Sequence, residues 1–110
     1  HEKLKEADIG IFASTCENLP IVLLEKMASG LPLVCSNSYP MPEILGGIGA
    51  FIDPLNPYET TDIIEKFILS TNERKQSAEN NYRISSNYTW DNCTTKTFEF
   101  LLQVASDKKP

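Results

Sequence analysis

Two carboxylates, Glu17 and Glu25, are the side chains of this sequence whose types and spacing best fit ligand chemistry. A carboxylate can accept hydrogen bonds from two adjacent hydroxyls at once, and a sugar or a ribose offers such a diol. The residues between them form a turn that leads into an apolar helix, and the free N–H groups at a helix start favour an anion such as phosphate. The segment 17–25 therefore predicts a site for a sugar phosphate.

Glu25 has an unusual position for a charged residue. At helical spacing it shares a face with Ile21, Leu24 and Ala28, so it interrupts an apolar stripe. A carboxylate buried there requires a partner, because an unpaired buried charge is costly. Two interpretations remain open at this point. In the first interpretation, Glu25 pairs with a nearby Lys or Arg or reaches water at the edge of the stripe. In the second, its partner is a ligand diol.

Glu17 is less unusual, since a carboxylate in a loop is most often only solvated. Its position just before a helix start makes it a candidate for ligand contact. The adjacent Cys16 allows a reactive thiol at the same place. A free cysteine usually behaves as a small hydrophobic residue, which favours a packing role for Cys16.

The elements around these carboxylates form a strand, helix and strand unit. An apolar run predicts a strand over 8–14, buried on both faces. Pro20 suits the first position of a helix over 20–29, and Gly30 suits its end, because glycine tolerates the left-handed conformation after the last turn. A second strand follows over 31–36. In such crossovers ligands bind at the carboxyl ends of the strands, where the loop of Glu17 falls.

Downstream, the pattern predicts a helical turn, a third strand and three further helices. The helical turn covers 42–46 and the third strand covers 49–53. The first of the three helices runs from Pro57 to about Ser70, with a core face of Ile63, Ile64, Phe67 and Ile68, and the second, which is polar and peripheral, runs from Ser70 to about Tyr88. The C-terminal helix covers 90–106, and the residues at helical spacing in it are Thr94, Thr97, Phe98, Leu101, Leu102 and Ala105. The predicted fold class is α/β, a Rossmann-like parallel sheet flanked by helices, in a single partial domain over 1–110.

Composition excludes several other functions. The net charge of −5, with no basic run beyond Lys108-Lys109, argues against a nucleic-acid surface, and Arg74, Lys75 and Arg83 are interpreted as a solvated face rather than a phosphate site. The single histidine, His1, excludes a histidine-based triad. Three cysteines without metal-like spacing and no secretory signal predict free thiols and a cytoplasmic location. No apolar run approaches the ~20 residues needed to span a bilayer.

From Ala7 to about Leu102 the chain resembles the C-terminal nucleotide-sugar-binding domain of GT-B glycosyltransferases, specifically the retaining family 4. Glu17 and Glu25 stand at the family's E-x7-E motif, and the segment 25–34 is similar to its "EAMA-x-G-x-PVV". Further matches are Pro42-Glu43, Gly49 and Asp53-Pro54 to "PE…G…DP", and Thr89-Trp90 to an aromatic that opens the last helix. Two glutamates at a fixed spacing would alone be weak evidence for this family, but the whole ordered set of matches is specific.

The resemblance implies a role for each residue of the motif. Glu25 would hold the ribose hydroxyls of a nucleotide-sugar donor, and Glu17, the catalytic residue, would contact the donor sugar near the reacting centre. Asn18, Leu19, Pro20 and Ile21 would lie against the sugar and diphosphate. Asn18 departs from the family's common Gly, and Asn tolerates the left-handed conformation better than most residues. No metal and no cofactor other than the donor is implied.

The resemblance also implies what this stretch lacks. The family's Arg/Lys pair for the diphosphate and its acceptor domain lie upstream, so the 110-residue chain is expected to be inactive alone. The acceptor, a glycan, lipid or other hydroxyl compound, would be bound by that other domain. Contact with the inner face of the membrane would be peripheral.

Three other readings of the pattern remain. A signalling receiver domain has a similar length, but Asp8 and Asp53 do not form the acidic cluster that it needs. A non-catalytic nucleotide- or sugar-binding module fits the same residues. So does a GT-B sugar-nucleotide epimerase, although the ordered match favours transfer.

Overall fold

The computed structural model describes residues 2–107, so His1 and Lys108-Lys109, on which two composition arguments rest, lie outside the described residues. The elements follow the predicted order. They are α1 (Glu2–Lys5), β1 (Gly10–Phe12), α2 (Ile21–Ala28), β2 (Leu33–Ser36), α3 (Met41–Ile44), β3 (Ala50–Ile52), α4 (Pro57–Leu69), α5 (Thr71–Ser85) and α6 (Trp90–Asp107).

The three strands form one parallel sheet in the order β1-β2-β3, which confirms the α/β class with a parallel sheet flanked by helices. Gly10 pairs with Leu33 in the first ladder, and Val34 pairs with Ala50 in the second. Every residue of β2 is buried, as expected for the central strand of a parallel sheet with helices on both faces.

The prediction that the first strand is buried on both faces is wrong. Only residues 10–12 of the predicted span 8–14 form strand, and the Ile11 side chain is 47% exposed. The reason is the place of β1 at the edge of the sheet within residues 2–107, since an edge strand has one neighbour instead of two.

Each face of the sheet carries its own apolar cluster. On one face, α2 and α5 pack over a cluster that includes Leu23, Met27 and Cys35. On the other, α4 packs over Val34, Ile52 and Phe67. Alternate residues of β2 point to opposite faces, so this one strand serves both clusters.

The Asn56 side chain caps the N-terminus of α4. Asn56 Oδ1 accepts from the Glu59 N–H at 3.3 Å, and Asn56 Nδ2 donates to the Glu59 carboxylate at 3.0 Å. In the predicted core face Phe67 is buried and Ile63 and Ile64 are partly buried. The prediction that Ile68 belongs to the core face is wrong, because its side chain is 51% exposed at the border of the helix face that meets the sheet.

The prediction that the polar helix α5 is peripheral is also wrong. Two of its polar side chains, Ser77 and Asn81, are buried, and the helix packs against α2 and β2. The Ser77 hydroxyl accepts from the Leu33 N–H at 3.1 Å, and Asn81 Nδ2 donates to the Leu31 carbonyl at 3.1 Å. The helix is therefore held to the sheet by hydrogen bonds in addition to apolar contacts.

Helix α6 runs from Trp90 to Asp107, one residue beyond the predicted end at 106. It buries no residue, and the side chains of Phe98, Leu101 and Leu102 are all exposed. Among the described residues, no helix combines the length and the apolar character that crossing a membrane requires.

Candidate functional site

The carboxyl ends of all three strands lie at one edge of the sheet, because the strands are parallel. The loop after β1 carries Glu17 and Asn18 and leads into α2. The loop after β2 is held in place by the Asn37 N–H, which donates to the Ile52 carbonyl at 2.8 Å. After β3, the Asp53 carboxylate accepts from the Leu55 N–H at 2.9 Å and so closes its own turn.

Glu17 is half-buried in the loop that follows β1, whereas Asn18 and Leu19 are exposed. Within residues 2–107 no residue other than glycine has a positive φ, so Asn18 is not left-handed and the loop turns without that conformation. Cys16 is exposed with a free thiol, and its interpretation as a packing residue is therefore wrong. The edge thus presents a carboxylate that is partly shielded from water.

The start of α2 differs from the predicted one by one residue. Pro20 has φ −76° and ψ 87°, so it precedes the helix as its N-cap, and Ile21 is the first helical residue. No side chain caps this end; the Pro20 carbonyl accepts from the N–H groups of Leu23 and Leu24 at 3.0 and 3.2 Å. The first two helical N–H groups, of Ile21 and Val22, are left without an intrahelical acceptor, and they are donors for an anion.

Glu25 lies on the exposed side of α2, not in a buried stripe. The buried row of this helix is Leu23 and Met27, while Ile21 is 63% exposed and Ala28 is exposed as well. Among the described residues no Lys or Arg comes within ion-pair distance of the Glu25 carboxylate. The ion pair, one of the alternatives left open, is therefore absent in residues 2–107, and the exposed carboxylate reaches water, as a second alternative expected.

Lys26 is half-buried against β1. Its ammonium donates to the Ile11 carbonyl at 2.6 Å and lies 5.5 Å from the centroid of the Phe12 ring. A signal for it was available, since the resemblance has Ala at this position of "EAMA". Lys26 is the residue of this region that the sequence analysis missed.

The basic residues of α5 are engaged close to their own positions in the chain. Arg74 donates to the carbonyls of Phe67 and Ile68 at the end of α4. Arg83 donates to Asn80 at 2.8 Å, and Lys75 pairs with a carboxylate one turn along its helix. These contacts support the interpretation of a solvated face.

No residue of α2 or of the loop after β1 lines either of two surface pockets, of which the larger, about 330 Å³, is lined by Thr61, Ile64, Glu65, Ile68 and Leu69. A cavity of about 170 Å³ lies at the start of β3 and beside α5, lined by Ile48, Gly49, Ala50, Phe67, Glu73, Gln76 and Ser77. Within residues 2–107, no three His, Cys, Asp or Glu side chains come together in a way that would hold a metal ion. Glu17 and the start of α2 directly follow the carboxyl end of β1, and Glu25 lies further along α2.

Two comparisons with known proteins match this part of the molecule. The family described as glycosyl transferases group 1 matches residues 1–84. The O-antigen chain mannosyltransferase B of Escherichia coli is 31% identical over 91 residues, which cover 79% of this chain and 23% of that protein. The chain therefore spans about a quarter of the length of the curated relative that it matches.

Proposed function

The chain belongs to the glycosyl transferases group 1 family, and from this premise we propose that it supplies the donor-binding half of a retaining glycosyltransferase. The observation that carries the proposal is the set of groups along the segment that follows β1. An exposed carboxylate, a half-buried carboxylate and a helix start with free N–H groups follow the carboxyl end of β1. Nucleotide sugars bear the matching groups, which are a ribose diol, a diphosphate and a sugar.

Glu25 is the proposed ligand of the ribose. Its carboxylate is exposed on α2 and has no ion partner within residues 2–107, so two adjacent hydroxyls are able to donate to it. Such a contact fixes the nucleotide without proton exchange.

The start of α2 is the proposed diphosphate site. The N–H groups of Ile21 and Val22 have no intrahelical acceptor, and the helix dipole favours negative charge there. Asn18, Leu19 and Pro20 line the approach from the loop. As the bond from the sugar to the diphosphate breaks, charge grows on the leaving oxygen, and fixed N–H donors stabilise it most at that moment.

Glu17 is the proposed catalytic residue beside the donor sugar. In the transfer, the bond from the anomeric carbon to the diphosphate oxygen breaks and a bond to the acceptor oxygen forms on the same face of the ring, while the acceptor proton passes to the leaving nucleoside diphosphate. A half-buried carboxylate near this centre opposes the positive charge that develops on the sugar. The relative that matches the chain is named a mannosyltransferase, so mannose is the first donor sugar to test and a glycan the first acceptor.

The test is made on the full-length protein. We expect transfer from a nucleotide-mannose to a glycan acceptor with retained anomeric configuration, measured by NMR of the product, and unchanged rates in a metal chelator. Glu17→Gln should lower kcat on the order of a hundredfold, as for other groups at a reacting centre. Glu65→Gln, an exposed carboxylate of α4, is the control and should have no effect.

The same experiment separates the alternatives. Nucleotide binding without transfer would indicate a non-catalytic binding module. Conversion of the donor sugar into its epimer, without an acceptor, would indicate an epimerase. Absence of nucleotide-sugar binding in the full-length protein would overturn the proposal.

A further inference from the structure

Lys26 belongs to the helix that carries Glu25, but its side chain contacts the strand that leads to Glu17. The ammonium donates to the Ile11 carbonyl at 2.6 Å and lies over the Phe12 ring, 5.5 Å from its centroid. Hydrogen bonds from charged donors are shorter and stronger than neutral ones, so this contact holds α2 to β1 at a defined distance.

The acceptor of this hydrogen bond lies on the outer edge of β1. The Gly10 N–H donates to the Pro32 carbonyl at 2.9 Å, so the backbone groups of Gly10 face β2. Along a strand, the backbone N–H and C=O groups of successive residues point to opposite sides, so the Ile11 carbonyl points away from β2. Within residues 2–107 no strand pairs with that edge, and Lys26 supplies the hydrogen bond there.

Gly10 lies beside the aliphatic part of the Lys26 side chain. A Cβ atom placed on Gly10 would lie 2.5 Å from Leu33 Cδ2, which is a clash, and 3.6 Å from Lys26 Cδ, which is an ordinary contact. The missing side chain at position 10 therefore leaves room for Leu33, and Lys26 packs beside it. Lys26 lies in the last turn of α2, so its hydrogen bond to the Ile11 carbonyl joins this turn to β1.

We propose that Lys26 is a positioning residue of the donor site, which fixes Glu25 on α2 relative to the end of β1 from which the loop of Glu17 departs. The inference rests on the proposed function. Catalysis is sensitive to small displacements of the groups that hold a substrate, and losing this tie loosens the two carboxylates relative to each other. Lys26 itself touches the protein and not the donor.

The test compares Lys26 variants in the full-length protein. Lys26→Met keeps the aliphatic side chain and removes the charge and the donor, whereas Lys26→Arg keeps both. We expect Lys26→Met to lower kcat at saturating nucleotide-mannose about tenfold. The Kd of the nucleoside diphosphate should stay within about twofold, because Glu25 and the helix start remain. Lys26→Arg should retain most of kcat.

Lys66→Met is the matched control, because Lys66 is exposed on α4 at the opposite face of the sheet. It should leave both kcat and Kd unchanged. If Lys26→Met fails to fold, Lys26→Leu takes its place, since it also lacks the charge and the donor; wild-type kcat in that variant would overturn the inference.

Two results contradict the positioning role. The first is a kcat of Lys26→Met equal to that of the wild type. The second is a loss of kcat and of nucleotide affinity in parallel with the melting temperature, which would make Lys26 a support of the fold only. A wild-type protein that binds no nucleoside diphosphate would instead overturn the proposed function. If Glu25→Gln loses nucleotide binding while Lys26→Met keeps the kcat of the wild type, this inference alone would be overturned.

Discussion

The Ser77 hydroxyl accepts a hydrogen bond of 3.1 Å from the Leu33 N–H, across 44 positions of the chain, and both groups are buried. Asn81 adds two donations from its Nδ2 atom, to the Leu31 carbonyl and to the Ser77 hydroxyl. Helix α5 is thereby joined to the start of the central strand. This polar contact helps to hold the sheet whose opposite edge carries the candidate site.

Ser77→Ala should lower the free energy of unfolding by about 1–3 kcal/mol, because it leaves the Leu33 N–H buried without an acceptor. Denaturant unfolding measures the change. Ser106→Ala is the control, since that hydroxyl is exposed on α6 and bonds only within its own helix. Equal stability of the two variants would show that the buried contact contributes nothing.

Local signals in the sequence predicted where helices begin and end. Asn56 and Ser70 both accept from an N–H three residues on, as their caps require, and Gly30 ends α2 in the left-handed conformation. The βαβ order predicts that the loop of Glu17 follows the carboxyl end of the first strand, where the structure has it. These predictions depend on residues within a few positions of one another, which is why the sequence reveals them.

Contacts between distant segments were not predictable in this way. Periodicity predicts a peripheral α5 because it counts apolar residues, whereas the buried residues of this helix include Ser77 and Asn81. The same spacing predicts Glu25 in an apolar stripe, although the row that packs inward starts at Leu23. The Lys26 contact requires the distance from helix to strand, which no pattern in the sequence encodes.

Gly30→Ala should destabilise the fold by about 1 kcal/mol, because φ is +75° at this position and an L side chain is strained there. No atom lies within 4 Å of the position that its Cβ would take, so the cost is backbone strain and not a clash. Gly30→Asn should cost less, since Asn tolerates this conformation better. Thermal unfolding that ranks Asn below Ala would contradict this.

The stability of the fold should fall as the pH rises from about 9 to about 12. Burial raises the pKa of the Cys35 thiol from 9.0 to about 12. The unfolded chain thus loses this proton at a lower pH than the folded one, and the stability present below pH 9 is lost as the pH rises through the folded pKa, by at most about 1.4 kcal/mol per pH unit.

Unfolding as a function of pH measures this slope, and Cys35→Ala isolates the contribution of the thiol from other groups that titrate in this range. Burial also raises the pKa of Tyr88, which both proteins retain. The difference between wild type and variant should therefore shrink as the pH rises above 9. A difference that stays constant up to pH 12 would mean that Cys35 ionises as easily in the folded state as in the unfolded state.

The central claim is that Glu25 holds the nucleotide of the donor, and calorimetric binding to the full-length protein tests it most directly. The probe is whichever of UDP, GDP and ADP binds the wild type most tightly. Glu25→Gln should weaken binding roughly tenfold to a hundredfold, the loss expected for hydrogen bonds to a charged group, with an unchanged circular dichroism spectrum. Glu65→Gln should bind as the wild type does. Wild-type affinity in Glu25→Gln would contradict the account.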